Sequence, residues 1–212
     1  EISALGVNYS TLVIDDGSED LTYNRSVNLS PTIRLLQNLG IGGAVQTGIK
    51  YAYKNEFDFC VQIDGDGQHP PSEVSKLLEA YLEAPSSIVI GSRYLSDEAF
   101  QSTLVRRIGS RVIALALNVM FSGSKFTDPT SGMRLMDKKA IKFFSHSYPH
   151  DFPEPISLSW ALQAGLTIKE CKVQMRSRGN GKSSIAGLKP MAYMLRVLGY
   201  IILARVIGPK ST

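Results

Sequence analysis

Phe59-Cys60-Val61-Gln62-Ile63-Asp64-Gly65-Asp66-Gly67-Gln68-His69-Pro70-Pro71 decides how the rest of this chain reads. The apolar run Phe59 to Ile63 has the length of a buried strand, and two carboxylates, two glycines and a Pro-Pro pair end it abruptly. Asp64 and Asp66 are two residues apart, so at the end of an extended strand they project to the same side. Like charges that close repel unless a cation sits between them, and hard oxygen ligands select Mg2+ or Mn2+. Such an ion would in turn take an anionic substrate, most simply a diphosphate. The competing reading is an ordinary Asp-Gly turn. An EF-hand calcium loop fits worse, because counting from Asp64 puts His69 where the loop needs glycine and Ser75 where it needs glutamate.

Outward from this stretch, the elements alternate. The strand Tyr9 to Ile14 runs into Asp15-Asp16-Gly17-Ser18-Glu19-Asp20. This places carboxylates at the carboxyl edge of a sheet, where open α/β sheets bind ligands. Asp15 or Asp16 could accept hydrogen bonds from a base or a ribose, while Ser18 or Asp20 could cap the next helix. Gly40-Ile41-Gly42-Gly43-Ala44-Val45 opens a helix through Lys54, but Val45 stands where a dinucleotide fingerprint needs glycine or alanine. Small residues there permit either close approach to a ligand or tight turn packing. Ser72 to Ala84 has helical spacing with Ser72 as the expected cap, and Ser87 to Ile90 is a further short buried strand. Strand, helix, strand, helix, strand implies a parallel sheet with covering helices.

Later segments carry charge beside apolar faces. Leu104 to Phe121 is a helix with Arg106, Arg107 and Arg111 near its start; it either packs in the core with a solvated charged end or meets lipid phosphates. Glu154 stands at or just before a helix from Ile156 to Ala164, as an anion favoured by the dipole or as a general base. His146 and His150 have no zinc spacing and read as surface residues. After the strand Leu166 to Met175, Arg176-Ser177-Arg178-Gly179-Asn180-Gly181-Lys182-Ser183-Ser184 reads as an anion-binding loop, without the leading glycine spacing of a Walker A motif. Met191 to Ile207 is apolar but contains Arg196 and Arg205, and is expected to be an amphipathic helix that packs or lies on a membrane.

Across the whole chain, 212 residues argue for one domain with a substantial core, and 23 Lys+Arg against 19 Asp+Glu is too mild a surplus to argue for nucleic acid. The two cysteines, Cys60 and Cys171, read as reduced core residues of a cytosolic protein. No signal peptide, repeat or low-complexity tract stands out. Glu1 to Gly6 reads as the tail of a helix, so the chain is expected to lack an opening strand and part of a binding floor.

Taken together and in order, Val13-Ile14-Asp15-Asp16-Gly17-Ser18, Asn38-Leu39-Gly40 with Gly43, Gln62 to Pro70, Gly91-Ser92-Arg93-Tyr94, Asp128-Pro129-Thr130-Ser131-Gly132-Met133-Arg134, and Arg178 with Gly181 to Ser184 resemble the family 2 glycosyltransferases. The resemblance is to members of the GT-A fold, in the branch like dolichyl-phosphate mannose synthase, and covers nearly the whole chain. It implies an α/β fold with a mostly parallel sheet flanked by helices, in one catalytic domain over residues 1–184 and an amphipathic helical segment over 185–212.

By the same resemblance, Asp15, Asp16, Gly17, Ser18, Gly40, Gly43 and Asp64 serve the nucleotide, and Asp64, Asp66 and Gln68 handle a divalent Mg2+ or Mn2+. Arg178, Lys182, Ser183 and Ser184, with Asp128 and Arg134, serve phosphate or acceptor, and Glu154 with Asp66 is catalytic. The implied activity is inverting, metal-dependent transfer from a nucleotide-diphosphate sugar to a polyprenyl phosphate or a glycan hydroxyl, by a cytoplasmic protein with peripheral membrane association and no nucleic-acid partner. Two alternatives stand beside it: a sugar nucleotidyltransferase, and a non-catalytic nucleotide-sugar binding module.

Overall fold

Alternation along one strand explains how the layers form. Ile88, Val89 and Ile90 on β4 (Ile88–Ser92) are all buried, yet Ile88 and Ile90 join one hydrophobic cluster and Val89 joins another. Successive side chains of a strand point to opposite faces, so β4 is apolar on both. Each such side chain contributes about 1.5–3 kcal/mol when removed from water. The computed structural model describes residues 9–95, 104–121, 123–176 and 189–207.

β4 lies inside a four-stranded sheet made with β3 (Phe59–Gln62), β5 (Arg134–Asp137) and β6 (Ile168–Lys172), in the order β3-β5-β4-β6. β4 and β6 are parallel, and β5 runs antiparallel to both β3 and β4. Three of the four strands therefore run one way, as expected of a mostly parallel sheet, with one reversed strand among them. A separate parallel pair joins β1 (Val13–Asp15) to β2 (Thr32–Arg34).

One face of the larger sheet is covered by α3 (Val74–Glu83) through Val74, Leu77 and Ala80. On the other face one hydrophobic cluster joins α2 (Gly40–Lys54), α4 (Leu104–Met120), α5 (Lys138–His146), α6 (Pro153–Gln163) and α7 (Lys189–Ile207), with α7 packed on α4 and α6. The short α1 (Thr22–Ser26) follows β1. The expected cap at Ser72 is replaced by a tight turn over Pro71–Glu73, and no side chain caps α3. Glu73 is instead buried, paired to Lys76 and accepting the Gln174 N–H at 2.9 Å. By contrast Asp137 caps α5, accepting the Ala140 N–H at 2.8 Å.

Of the two readings of α4, its buried Ile113, Ala114 and Leu117 give core packing, and α7 adds Val197, Ile201 and Ala204 to the same cluster. Ile108, Leu115 and Val119 of α4 and Leu195, Ile202 and Val206 of α7 are exposed. Among the described residues, no helix is long and apolar enough to cross a membrane. Cys60 and Cys171 are both free thiols, and burial pushes each up to about 11.

The small residues that open α2 are explained by packing at one position. A Cβ on Gly42 would fall 2.3 Å from the Pro149 carbonyl oxygen and 2.7 Å from His150 Cα, so α2 rests directly on the backbone that leads to α6. Gly40 has φ +76°, a left-handed conformation that favours glycine at a helix start. His146 and His150 are exposed, as the sequence suggests.

Candidate active site

At the end of β3 the chain leaves the sheet through Asp64, Gly65 and Asp66. Asp64 is exposed, and its carboxylate lies over Gly132, where a Cβ would fall 2.4 Å from Asp64 Oδ2 and 2.6 Å from Oδ1. The bare Cα of Gly132 is thus a cradle that sets the direction of this carboxylate. The loop is tied down at three further points. Asp66 Oδ1 accepts the Gln68 N–H at 3.0 Å, the Gln68 carbonyl accepts the Arg176 N–H at 2.9 Å, and His69 Nδ1 accepts the Asp64 N–H at 3.3 Å. Burial lowers the pKa of His69 despite the charges of Asp64 and Asp66, in keeping with a neutral ring whose Nδ1 is an acceptor.

Arg93, at the end of β4, is the fixed cation of this edge. Its Nε donates to Asp128 Oδ2 and its Nη2 to Asp128 Oδ1, both at 2.6 Å, and Nη2 also donates to Thr130 Oγ1 at 3.0 Å. Burial works against the charged guanidinium, but the Asp128 bonds and charge outweigh it and raise its pKa. Asp128 is fully buried, so its carboxylate serves Arg93 from beneath the surface. Arg134 is buried too, and donates to the Ser131 and Pro129 carbonyls at 2.9 and 3.0 Å and to Ser157 Oγ at 2.8 Å. It therefore joins the 129–131 loop to α6 at Ser157.

Glu154 lies in the first turn of α6, which starts at Pro153 after the left-handed Phe152 (φ 47°). Burial raises its pKa above the usual carboxylate range; Arg134 and Arg93 oppose this, while Asp64 adds to it. Asp64, Arg93, Arg134 and Glu154 thus share one electrostatic neighbourhood.

The acidic turn after β1 is folded on itself. Asp15 is buried, accepting the Ser18 N–H at 3.2 Å, with Arg34 Nε 3.4 Å from its other oxygen. Asp16 Oδ1 accepts the Leu39 N–H at 2.7 Å, and Gly17, at φ +72°, packs against the Gln37–Asn38 backbone. This turn and the one preceding Gly40 and Gly43 are consequently zipped together. Asp20 accepts the Thr22 N–H at 2.8 Å just before α1, whose cap position, Leu21, makes no side-chain bond. Arg178, Lys182, Ser183 and Ser184 lie outside the described residues.

Among the described residues, no three His, Cys, Asp or Glu side chains converge as a complete metal cage. The donor set nevertheless fits Mg2+ or Mn2+, because Mg2+ in particular is commonly held by one or two carboxylates with substrate phosphates and water. Asp64, exposed and aimed by the Gly132 cradle, and Asp66 beside it are the residues that would hold it. Alanine at Gly132 must swing the Asp64 carboxylate aside. Its expected result is Mn2+ affinity reduced roughly 10- to 100-fold, with melting temperature nearly unchanged, as checked by Mn2+ titration of the variant beside wild type.

Arg93 and Gly132 stand within Gly91-Ser92-Arg93-Tyr94 and Asp128 to Arg134, and the sequence alone gives neither a role. The signal that would have found Arg93 is a cation directly at the end of a buried strand.

Residues 3–144 match the family model described as glycosyl transferase family 2. The chain is 32% identical over 158 residues to the UDP-N-acetylglucosamine--dolichyl-phosphate N-acetylglucosaminyltransferase of Methanococcus voltae, covering 65% of this chain and 62% of that protein. It thus spans under two thirds of that relative's length. It is 26% identical over 205 residues to the polyprenol monophosphomannose synthase of Mycolicibacterium smegmatis, covering 92% of this chain and 77% of that one. Its fold is similar to a crystal structure of glucosyl-3-phosphoglycerate synthase from Mycobacterium tuberculosis in complex with Mn2+, UDP-glucose and phosphoglyceric acid. There the TM-score is 0.65 and identity 20%, over 94% of this chain and 69% of that one, a likeness of fold alone.

Proposed function

Because this chain belongs to glycosyl transferase family 2, we propose that it transfers a sugar, with inversion, from a nucleotide-diphosphate sugar to a polyprenyl phosphate. The observation that carries this reading is the exposed Asp64 carboxylate set over Gly132 beside the clamped Arg93. Asp64 and Asp66 bind the donor end, where a divalent ion would supply neutralisation of charge on the departing diphosphate. Arg93 offers a fixed positive field that costs no reorganisation as charge develops. Asp128 and Arg134, expected from the resemblance to serve phosphate or acceptor, are buried and bound to Arg93 and to the 129–131 loop, and position this edge from below. Asp15, Asp16, Gly17, Ser18, Gly40 and Gly43 form the nucleotide floor, and Gln68 supports the metal carboxylates. Arg178 and Lys182 to Ser184 act on phosphate or acceptor. The catalytic domain is residues 1–184, followed by an amphipathic helical segment over 185–212 whose α7 packs into the same core.

A lipid acceptor would be met by peripheral contact on the cytoplasmic side of a membrane. The exposed apolar side chains of α4 and α7, together with Arg107, Arg111, Arg196 and Arg205, support this part of the reading.

A glycan hydroxyl is the second reading, favoured by Glu154, whose half-buried carboxylate, with its raised pKa, is a stronger base than an exposed one. A lipid phosphate is already ionised and needs no base. The two readings separate by pH. If a hydroxyl attacks, kcat/KM falls as pH drops through the raised Glu154 pKa, because protonation removes the base. Arg134 and Arg93 restrain that pKa and Asp64 and burial raise it. Glu154→Gln then flattens this limb and costs roughly 100-fold or more. With polyprenyl phosphate as acceptor, the same variant is expected to retain most of its rate.

The test is transfer of labelled sugar from UDP- and GDP-sugars to a short polyprenyl phosphate, the neutral polyprenol and a saccharide. Labelled lipid from the phosphate alone supports the proposal. Pyrophosphate release from a nucleoside triphosphate would identify a nucleotidyltransferase, and donor binding without turnover a binding module.

A further inference from the structure

We propose that Glu170, on β6, is a positioning residue for transfer: it fixes the Thr127–Asp128 backbone so that Asp128 clamps Arg93 at the rim of the Asp64–Asp66 edge. Glu170 Oε1 accepts the Asp128 N–H at 2.8 Å, both carboxylate oxygens share the Thr127 N–H at 3.0 and 2.9 Å, and Oε2 also accepts the Thr127 hydroxyl. The Thr127 hydroxyl is 2.7 Å from Ser92 Oγ, next to Arg93. From the other side Asp128 takes the Arg93 backbone N–H at 3.1 Å as well as its guanidinium. The parallel register sets Glu170 opposite Ile90 and Lys172 opposite Ser92, so β6 approaches the strand that delivers Arg93.

The chemistry suits a carboxylate and little else. Three donor groups converge on Glu170, and an ionised carboxylate is acceptor-only, with capacity for all of them. Glutamine would turn an NH2 group toward N–H donors. Burial raises the Glu170 pKa while the Thr127 and Asp128 bonds hold it down, so this carboxylate carries a desolvation cost that strand packing alone does not require. What it secures is the direction of a second, fully buried carboxylate and, through it, of a cation. Displacing a charged group by about 1 Å can cost about 100-fold in rate.

The inference rests on the transferase reading of this edge, and its test separates the two. In the full chain, the Arg93 Nε–Hε signal, assigned with Arg93→Lys, is expected to be shifted and slow to exchange because it donates to Asp128. Glu170→Gln is expected to broaden that signal, and to lower kcat about tenfold or more with the donor KM changed less than about twofold. In an Arg93→Lys background the same substitution is expected to cost little further, as for residues acting through one another. Thr127→Val, which removes the hydroxyl bonds to Glu170 and Ser92 but keeps the Thr127 N–H, gives a milder loss and Thr127→Ser restores it; these carry the test should Glu170→Gln fail to fold. An unaltered Arg93 signal in Glu170→Gln, or a rate loss that multiplies fully onto that of Arg93→Lys, overturns the proposal. A wild-type chain inactive with every donor sinks the transferase reading instead, and the Arg93 signal still decides the role of Glu170.

Discussion

Asp64→Ala is expected to lower sugar transfer roughly a thousandfold, the upper end of what loss of one preorganised charge-stabilising group costs. The same substitution should leave the melting temperature within about 2 °C of wild type, since surface changes are usually within about 0.5 kcal/mol. The contrast follows from where Asp64 sits. Its side chain is exposed at the end of β3, and its close neighbour is the Cα of Gly132, so little packing is lost on truncation. Excess Mn2+ should not restore the rate, unlike in Gly132→Ala, because the ligand itself is gone. Asp64→Asn keeps the shape and removes the charge, and should be nearly as inactive. Unchanged transfer in Asp64→Ala would remove the carboxylate pair from the mechanism.

The second large effect is on stability. Gly42→Ala is expected to cost about 3 kcal/mol, at the upper end for overpacking, because the added methyl meets backbone and cannot be relieved by a rotamer change. The contacts are 2.3 Å to the Pro149 carbonyl oxygen and 2.7 Å to both His150 Cα and O. For a chain of this size, that corresponds to a melting temperature lower by about 6–12 °C. Gly199→Ala in α7 is the counterpart, since nothing lies within 4 Å of its added methyl and the residue is exposed. Alanine there should stabilise by about 0.5–1 kcal/mol through helix propensity. Thermal and urea unfolding of the two variants beside wild type checks both signs. Equal stability of Gly42→Ala and wild type would mean that α2 does not rest on the 149–150 backbone.

These two positions also mark what was legible in the sequence. The run of apolar residues at Ile88 to Ile90 and the spacing of Val74, Leu77 and Leu78 announce their strand and helix, because burial on both faces or on one stripe leaves a pattern in the chain. β2, three residues long over Thr32–Arg34, has too short a pattern to read. Strand direction is likewise silent: β5 pairs with β3 and β4 through residues far along the chain, so its reversal is a property of tertiary packing.

The site divides in the same manner. Asp64 and Asp66 stand out because two carboxylates end an apolar strand, and the Asp15-Asp16 turn for the same reason. Glu154 was readable as a carboxylate at a helix start, though its burial was not. Glu170 gave no signal, since a glutamate between Lys169 and Cys171 in a half-buried strand reads as solvent-facing. Its partners are 42 and 43 residues away in sequence. Gly42 was open to a ligand or a packing reading, and only the 149–150 backbone against it decides for packing.

The measurement that bears most directly on the central claim is thermal stabilisation of the chain by a panel of UDP-, GDP- and dTDP-sugars, each with and without Mn2+. A ligand that binds only the folded state raises stability by an amount set by its concentration over its dissociation constant, about 2.7 kcal/mol at a hundredfold excess. A shift of several degrees is expected for one nucleotide class, present only with Mn2+ and lost in Asp64→Ala. A shift that is independent of metal, or that survives in Asp64→Ala, would contradict the central claim.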